Sequence, residues 1–260
     1  MRNTKSMIGH ASKWLSSAQS KSLMHVELLA RTRDSVTTSS GTFIDFSSCS
    51  YLAYDTDSDV ISRARETLEA WGTHYCVARS RFSIQPNIEL ETGLTKLFGA
   101  NSITFPSVTS CHMSTLPLLA SGFSPTGKET HPVTIIFDEF AHASMQFLIP
   151  ILAQEARIDK IRHNDLNHLE EKIRIAGSQG YRSVFVGDGL YSMGGHAPIA
   201  ELLSLSNQYD MLLYLDDAHG TSIRGQNGRG YVSEFLGNRS WPECLLANFS
   251  LGRVDISFIL

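Results

Sequence analysis

Short apolar runs alternate with amphipathic stretches along most of the chain. Apolar residues dominate positions 133–137, 183–186 and 212–215, which is typical of strands buried on both faces of a sheet. An alternation of such strands with helices is the pattern of βαβ units. The sequence therefore predicts an α/β protein with a mostly parallel sheet between helices.

An amphipathic helix is predicted upstream of these strands. Val60, Ile61, Ala64 and Leu68 recur at the spacing of one helix face. Ser58 directly precedes this pattern, and its hydroxyl is expected to cap the helix.

Ionisable side chains follow the three predicted strands at once. The strands are succeeded by Asp138-Glu139, by Gly187-Asp188-Gly189 and by Asp216-Asp217-Ala218-His219. In open α/β sheets, ligands bind beyond the carboxyl ends of the strands, so the three strand ends are expected to meet at one cleft. The alternative is that these acids are ordinary loop residues, since loops are polar in any case.

Composition narrows the classes of function. The 260 residues are 42% hydrophobic and 18% charged with a net charge of −4, which suits one large globular domain and disfavours nucleic-acid binding. No apolar run approaches the roughly 20 residues that span a bilayer. The four cysteines form no C-x-x-C pair, which favours a reducing compartment, and we expect a cytoplasmic protein. The expected organisation is an N-terminal arm or helix over residues 1–42 and one domain over residues 43–260.

The strand end at Asp216 carries the clearest chemistry. A carboxylate at the end of a buried strand needs a cationic partner, and a protonated pyridine nitrogen would satisfy it. His219, three residues on, could then bond the phenolic oxygen of the same ring. The D-D-x-H pattern could also be half of a metal site, but no second cluster with ligand spacing accompanies it. The rival cluster of His163, Asp165 and His168 is interpreted as an ordinary loop and helix cap, and no metal site is predicted.

Several segments in order resemble one enzyme family. They are residues 45–52 (DFSSCSYL), 138–144 (DEFAHAS), 162–169 (RHNDLNHL), 188–198 (DGLYSMGGHAP), 216–221 (DDAHGT) and 228–230 (GRG). They resemble the pyridoxal-phosphate (PLP)-dependent α-oxoamine synthases. That family contains 8-amino-7-oxononanoate synthase, 2-amino-3-ketobutyrate ligase, 5-aminolevulinate synthase, serine palmitoyltransferase and the α-hydroxyketone autoinducer synthases. The resemblance implies the large domain of a fold-type-I transferase of the aminotransferase class I/II superfamily.

The resemblance also implies roles around a bound PLP ring. His142 matches the histidine that stacks on the ring, and Asp216 matches the partner of the ring nitrogen. His219 and Ser192 match the groups near the ring hydroxyl. Asp188 stands where the family usually has glutamate.

A second set of residues matches the family's phosphate site. Ser107, Val108 and Thr109 replace a Ser-Gly-aromatic turn that opens a helix, and amides at a helix N-terminus bind anions. Because valine disfavours a positive φ, the turn is expected to differ from that of the family. Ser250 matches a hydroxyl that reaches the phosphate.

The family's catalytic lysine has no counterpart here. The residue at its position is Arg253, and no lysine follows Lys172. An arginine stays protonated and forms no stable Schiff base, so PLP is expected to bind non-covalently at best. The sequence then departs from the family's glycine-rich loop, and we expect a large domain that is incomplete at its C-terminal end, with the C-terminal domain missing.

The expected activity is that of a PLP-dependent acyltransferase that condenses an amino acid with an acyl-CoA-type thioester. For this chain we expect inactivity, because the lysine is absent. The alternatives are an aminotransferase-like enzyme of the same fold and a catalytically dead partner of an active synthase. Full-length relatives are expected to be homodimers, with no nucleic-acid or membrane partner.

Overall fold

A computed structural model describes residues 4–21, 24–74, 77–123, 131–236, 240–251 and 257–259. The chain divides into two compact units, Met1–Glu66 and Thr67–Leu260. The boundary expected between residues 42 and 43 stays a prediction. In the described part of the chain, no helix has the length and apolar character needed to cross a membrane.

The first unit contains helix α1 and a small antiparallel sheet. Its elements are α1 (Thr4–Ser20), β1 (Ala30–Arg31), β2 (Ser35–Thr38), β3 (Gly41–Ile44) and the 3-10 helix Tyr54–Thr56. Helix α2 (Ser58–Trp71) begins at the end of this unit.

The predicted cap of α2 is wrong by one residue. Asp57 accepts the backbone N–H groups of Asp59 and Val60, because a carboxylate one position earlier reaches them from extended backbone.

The second unit carries a seven-stranded sheet and most of the helices. Its elements are α3 (Gln85–Phe98), β4 (Ile103–Phe105), α4 (Val108–Ala120), β5 (Val133–Asp138), α5 (Ala143–Gln146), α6 (Ile149–Leu152), β6 (Arg157–Ile161), α7 (Leu166–Ser178), β7 (Arg182–Asp188), β8 (Leu190–Tyr191), β9 (Gly195–His196), α8 (Ile199–Tyr209), β10 (Leu212–Asp216), the 3-10 helix Gln226–Gly228, α9 (Tyr231–Leu236), β11 (Leu245–Ser250) and β12 (Ser257–Ile259).

The sheet has the order β4-β12-β11-β10-β7-β5-β6. Neighbours from β11 to β6 pair in parallel, whereas β12 runs antiparallel to both β11 and β4. The three predicted strands are central members of the parallel part. The prediction of a mostly parallel sheet between helices is therefore confirmed.

Two apolar layers cover the two faces of the sheet. Helices α4, α5 and α6 pack on one face, where they contact Val186 and Tyr214. Helices α7, α8 and α9 pack on the other face, where they contact Ile136 and Leu215. Because side chains alternate along a strand, the last residue of each strand faces the same layer as the residue two positions before it. This rule decides where each strand-end acid lies.

Candidate active site

Two strand-end acids lie side by side on the α4 face of the sheet. Asp216 and Asp188 are register partners at the ends of β10 and β7, and both are buried. Asn248 of β11 is the partner of Asp216 on its other side, and Ser250 follows two residues later on the same face. Asp138, on the neighbouring strand β5, instead shares its face with Ile136, although its charge still acts on Asp188.

A buried histidine holds Asp216. The Nε2 atom of His112 lies 3.1 Å from Asp216 Oδ2, and the Ala218 backbone N–H donates to Oδ1 at 3.0 Å. The other ring nitrogen, Nδ1, lies 2.9 Å from the hydroxyl oxygen of Tyr214. His112 is fully buried on α4, and sequence reasoning missed its role. Its position one turn into the helix after the Ser107 turn was the available signal.

The pKa values of Asp216 and Asp188 are shifted in opposite directions. Burial raises the pKa of Asp216, but the hydrogen bond and the charge of His112 outweigh it and bring the pKa below its usual value. Burial, and then the charge of Asp216, raise the pKa of the Asp188 carboxyl. The pair therefore consists of an ionised Asp216 beside a carboxyl that retains its proton more readily.

Asp188 also anchors the predicted stacking residue. Its Oδ1 accepts the backbone N–H of His142 at 2.9 Å, so the carboxyl fixes the start of α5. The His142 ring is exposed, and its Nδ1 bonds the Ser144 hydroxyl at 2.6 Å. The structure thus places His142 beside Asp188, and its stacking role stays a prediction.

The predicted phosphate turn is the N-terminus of α4. Ser107 is the N-cap, and it forms a reciprocal capping box with Ser110. Val108 is the first helical residue and does not have a positive φ, so valine is compatible with this turn. The N-terminal amides around Val108 and Thr109 are oriented as in an anion site. Along the helix axis, Val108 and His112 are about 6 Å apart, which places this anion site near Asp216.

The remaining predicted residues lie at nearby strand ends or outside the described part of the chain. Ser192 is exposed in the turn between β8 and β9, and His219 is half-buried in the turn that follows β10. Ser250 is buried at the end of β11. Arg253 lies outside the described residues.

Asp138 belongs to a separate clamp on the opposite face. His163 Nδ1 lies 2.9 Å from Asp138 Oδ1, and its Nε2 lies 2.9 Å from the carbonyl oxygen of Gly194. Asp138 Oδ1 and the Gly194 carbonyl are acceptors for an imidazolium that donates from both nitrogens, while Asn164 Nδ2 also lies 3.1 Å from Nε2. The ring also stacks on Phe140, with 4.4 Å between centroids. The interpretation of this cluster as a loop and helix cap is confirmed, because Asp165 caps α7, and the His163 ring in that loop also joins β5 to the turn that carries Ser192.

We expect the His163 clamp to make stability depend on pH. Burial lowers the pKa of His163, but the bonds to Asp138 and Gly194 outweigh it and raise the pKa. Its stabilising effect is then full below the unfolded pKa of about 6.5 and is lost as pH rises through the folded pKa. His163→Gln should cost about 1–3 kcal/mol near pH 6 and clearly less near pH 9, measured by urea unfolding.

The control for the clamp is His131→Gln, at an exposed histidine. This variant should show the same pH dependence as the parent chain. A His163→Gln penalty that stays constant from pH 6 to pH 9 would contradict the imidazolium assignment.

A fourth acid, Asp217, is enclosed by glycines. A Cβ added at Gly220 would lie 2.3 Å from Asp217 Oδ1, and one added at Gly230 would lie 2.3 Å from Oδ2. The carboxyl accepts the backbone N–H of Val232 at 2.9 Å and that of Tyr231, so it caps α9. Burial raises the pKa of Asp217 to about 8. Asp217 is therefore a structural acid beside the site, and it requires the glycine-rich segment after the strand.

Asn248 is a buried amide next to Asp216. It is fully buried, and within the described residues neither its Nδ2 nor its Oδ1 has a hydrogen-bond partner. Burial of an unpaired amide costs about 1–3 kcal/mol. Such an amide is the kind of group that an ordered water or ligand satisfies.

We expect Asn248→Val to raise the free energy of unfolding by about 1–2 kcal/mol, because the unpaired amide is removed. Asn101→Val, at an exposed position, is the control and should change stability by less than about 0.5 kcal/mol. Thermal unfolding at several denaturant concentrations would measure both. An Asn248→Val chain that is less stable than the parent would show that a water satisfies the amide.

Among the described residues, no group of three or more histidine, cysteine, aspartate or glutamate side chains is arranged to hold a metal ion. The site does fit a cofactor with a cationic ring nitrogen and an anionic tail, because Asp216 is an ionised acceptor near the amides that open α4.

Comparison with known proteins decides the family. No protein-family model matches the chain. An 8-amino-7-oxononanoate synthase of Vibrio atlanticus is 32% identical over 198 residues, which is 75% of this chain and 45% of the relative. A second one, of Fervidobacterium nodosum, is 29% identical over 202 residues, which is 74% of this chain and 47% of the relative. The chain is a homologue of the α-oxoamine synthases.

A solved structure of an α-oxoamine synthase has the same fold. The serine palmitoyltransferase of S. paucimobilis with bound PLP–myriocin aldimine aligns with a TM-score of 0.79 at 20% identity, covering 100% of this chain and 64% of that chain. The predicted fold-type-I large domain is thereby confirmed. The chain spans about half the length of the curated α-oxoamine synthases that it matches.

Proposed function

We propose that this chain is the PLP-binding domain of an α-oxoamine-synthase-type acyltransferase. The observation that carries the proposal is the ionised Asp216, held by His112 at the carboxyl end of the sheet. A protonated ring nitrogen is the natural partner of such a carboxylate. When bound, PLP supplies an electron sink for a carbanion at the Cα of an amino acid.

The residues of this chain would orient the cofactor from three sides. Asp216 holds the ring nitrogen protonated from the end of β10. The α4 N-terminus, opened by Ser107, offers backbone amides to the phosphate. His142 would cover one face of the ring, and its backbone is already fixed by Asp188. Ser192 and His219 are the groups that we propose for the ring hydroxyl.

We propose further that the cofactor is held non-covalently. By the resemblance to the family, Arg253 is the residue that we assign to the position of the lysine, and a guanidinium does not provide the neutral amine that a covalent bond to PLP requires. The chain by itself is then expected to bind cofactor without turnover. The expected partners, an amino acid and an acyl-CoA-type thioester, are those of the whole family, and they stay proposals, as do the homodimer and the cytoplasmic location.

The experiment combines binding with reduction. Titration of the purified chain with PLP, followed by fluorescence, should give saturable binding, and mass spectrometry after borohydride treatment should find no pyridoxyl group on the chain. A covalent group would contradict the non-covalent assignment. Absence of saturable binding of both PLP and pyridoxamine 5′-phosphate would contradict the proposed function itself.

Turnover is tested separately. The chain is incubated with PLP, a panel of amino acids and an acyl-CoA, and free thiol is measured. We expect no release above the rate without protein. Thiol release that depends on both PLP and one amino acid would show that the chain is an active synthase despite Arg253. Release that appears only after addition of a full-length synthase, and exceeds the rate of that synthase alone, would favour the alternative of a partner subunit.

A further inference from the structure

The buried contact between α4 and β10 is a hydrogen-bonded relay of three side chains. Tyr214, His112 and Asp216 are joined by distances of 2.9 Å and 3.1 Å, and each is at least nine-tenths buried. A carboxylate accepts, so His112 Nε2 carries the proton of the second bond. The Tyr214 hydroxyl bonds Nδ1, so the imidazole ring is held at both of its nitrogens.

The geometry points to His112 as a positioning residue that keeps Asp216 ionised and oriented before any ligand arrives. This inference rests on the proposed function only for the identity of the ligand. The bonds from His112 and Ala218 take one lone-pair site on each carboxylate oxygen. Each oxygen therefore keeps acceptor capacity for a cationic ring N–H.

The surroundings of Asp216 explain why a positioning residue is needed. A buried carboxylate with one backbone bond would take up a proton, since burial disfavours charge. Removal of His112 would leave Asp216 with the Ala218 amide beside a second acid, Asp188. A protonated Asp216 would then no longer pair with a cationic ring.

Other charged and titratable groups also surround Asp216. They come from α4 (Cys111 and His112), from β7 (Asp188), from the start of α5 (His142), and from β10 and the turn after it (Tyr214 and Asp217). Of these, His112 lowers the pKa of Asp216 the most, and His142 lowers it less. A test of His112 therefore has to follow the Asp216 carboxyl itself.

The test follows the carboxyl carbon of Asp216 by ¹³C NMR in ligand-free protein labelled at aspartate, with Asp216→Asn and Asp188→Asn for assignment. In the parent chain the Asp216 signal should stay that of a carboxylate from pH 8 to pH 5. In His112→Leu the Asp216 signal should titrate inside this range, because the pKa of Asp216 should rise by more than about one pH unit. His112→Gln retains an N–H donor, so the Asp216 titration in this variant should return most of the way to that of the parent chain.

Two further variants keep the test decisive. Where His112→Leu does not fold by circular dichroism, His112→Asn, whose side chain is too short to reach the carboxylate, takes its place. Tyr214→Phe should shift the Asp216 titration by a smaller amount, because it removes only the hydroxyl that holds the far side of the His112 ring. An Asp216 signal that stays that of a carboxylate from pH 8 to pH 5 in His112→Leu or His112→Asn would overturn the inference.

A second readout uses pyridoxamine 5′-phosphate, which needs no lysine to bind. His112→Leu should weaken its affinity at least about tenfold at pH 7.5, and His112→Gln should weaken it less. Equal affinity of the parent and His112→Leu would overturn the inference. If the parent binds no pyridoxamine 5′-phosphate, the proposed function fails, whereas the carboxyl titration still decides the role of His112.

Discussion

Asp217→Ala is expected to destabilise the chain by about 3–5 kcal/mol. The substitution leaves the backbone N–H groups of Tyr231 and Val232 without their acceptor at the buried start of α9, at about 1–3 kcal/mol each, and it opens a cavity between Gly220 and Gly230. Net stabilities of domains are only about 5–15 kcal/mol, so much of the chain should be unfolded at 37 °C. Urea unfolding followed by circular dichroism measures this effect.

The matched variant is Asp217→Asn. Because burial raises the pKa of Asp217 to about 8, the carboxyl is mostly protonated at pH 7, and an amide has nearly its shape and charge. Asp217→Asn should therefore cost less than about 1.5 kcal/mol at pH 7. Exposed Glu69→Ala serves as the control for loss of an acid. Equal penalties for the alanine and asparagine variants would show that Asp217 is ionised in the folded chain.

The second large effect is expected on cofactor affinity. Asp216→Ala removes the acceptor for a cationic ring nitrogen in a buried site, where loss of one partner of a charge pair costs about 2–5 kcal/mol. Binding of pyridoxamine 5′-phosphate should weaken by roughly 10²-fold or more, since about 1.4 kcal/mol corresponds to tenfold. Isothermal titration calorimetry at pH 7.5 would measure both dissociation constants.

The control for Asp216→Ala is Asp159→Ala. Asp159 lies on β6 at the far edge of the sheet, where it pairs with Lys172. Its removal should leave the affinity for pyridoxamine 5′-phosphate unchanged. An Asp216→Ala chain that binds within threefold of the parent would contradict the assignment of Asp216 to the ring nitrogen.

The buried acids also affect the stability of the domain when no ligand is bound. Asp188 and Asp217 have raised pKa values because burial disfavours their charge, and among the described residues Asn248 has no partner for its amide. These groups lower the stability of the unliganded domain. A ligand that satisfies groups beside Asp216 would raise stability on binding, so an increase in the unfolding temperature with PLP is a direct consequence of the proposed function.

Sequence alone determined the fold class and the position of the main acid. The apolar runs that became β5, β7 and β10 are long enough to be recognised, and the order of the motif segments pointed to the α-oxoamine synthases. Asp216 was found because a charged residue at the end of a buried apolar run needs a specific partner. These features depend on local patterns, which a single sequence contains.

Tertiary structure decided which side chains meet. His112 and Asp216 are 104 residues apart in the chain, and only the packing of α4 on β10 brings them within 3.1 Å. The strand period of two placed Asp138 on the opposite face from Asp188, so the two acids have different hydrogen-bond partners. His163 became a clamp because its ring meets Asp138 and Gly194 from different elements. Such contacts depend on burial and register between distant segments, and no local spacing in the sequence encodes them.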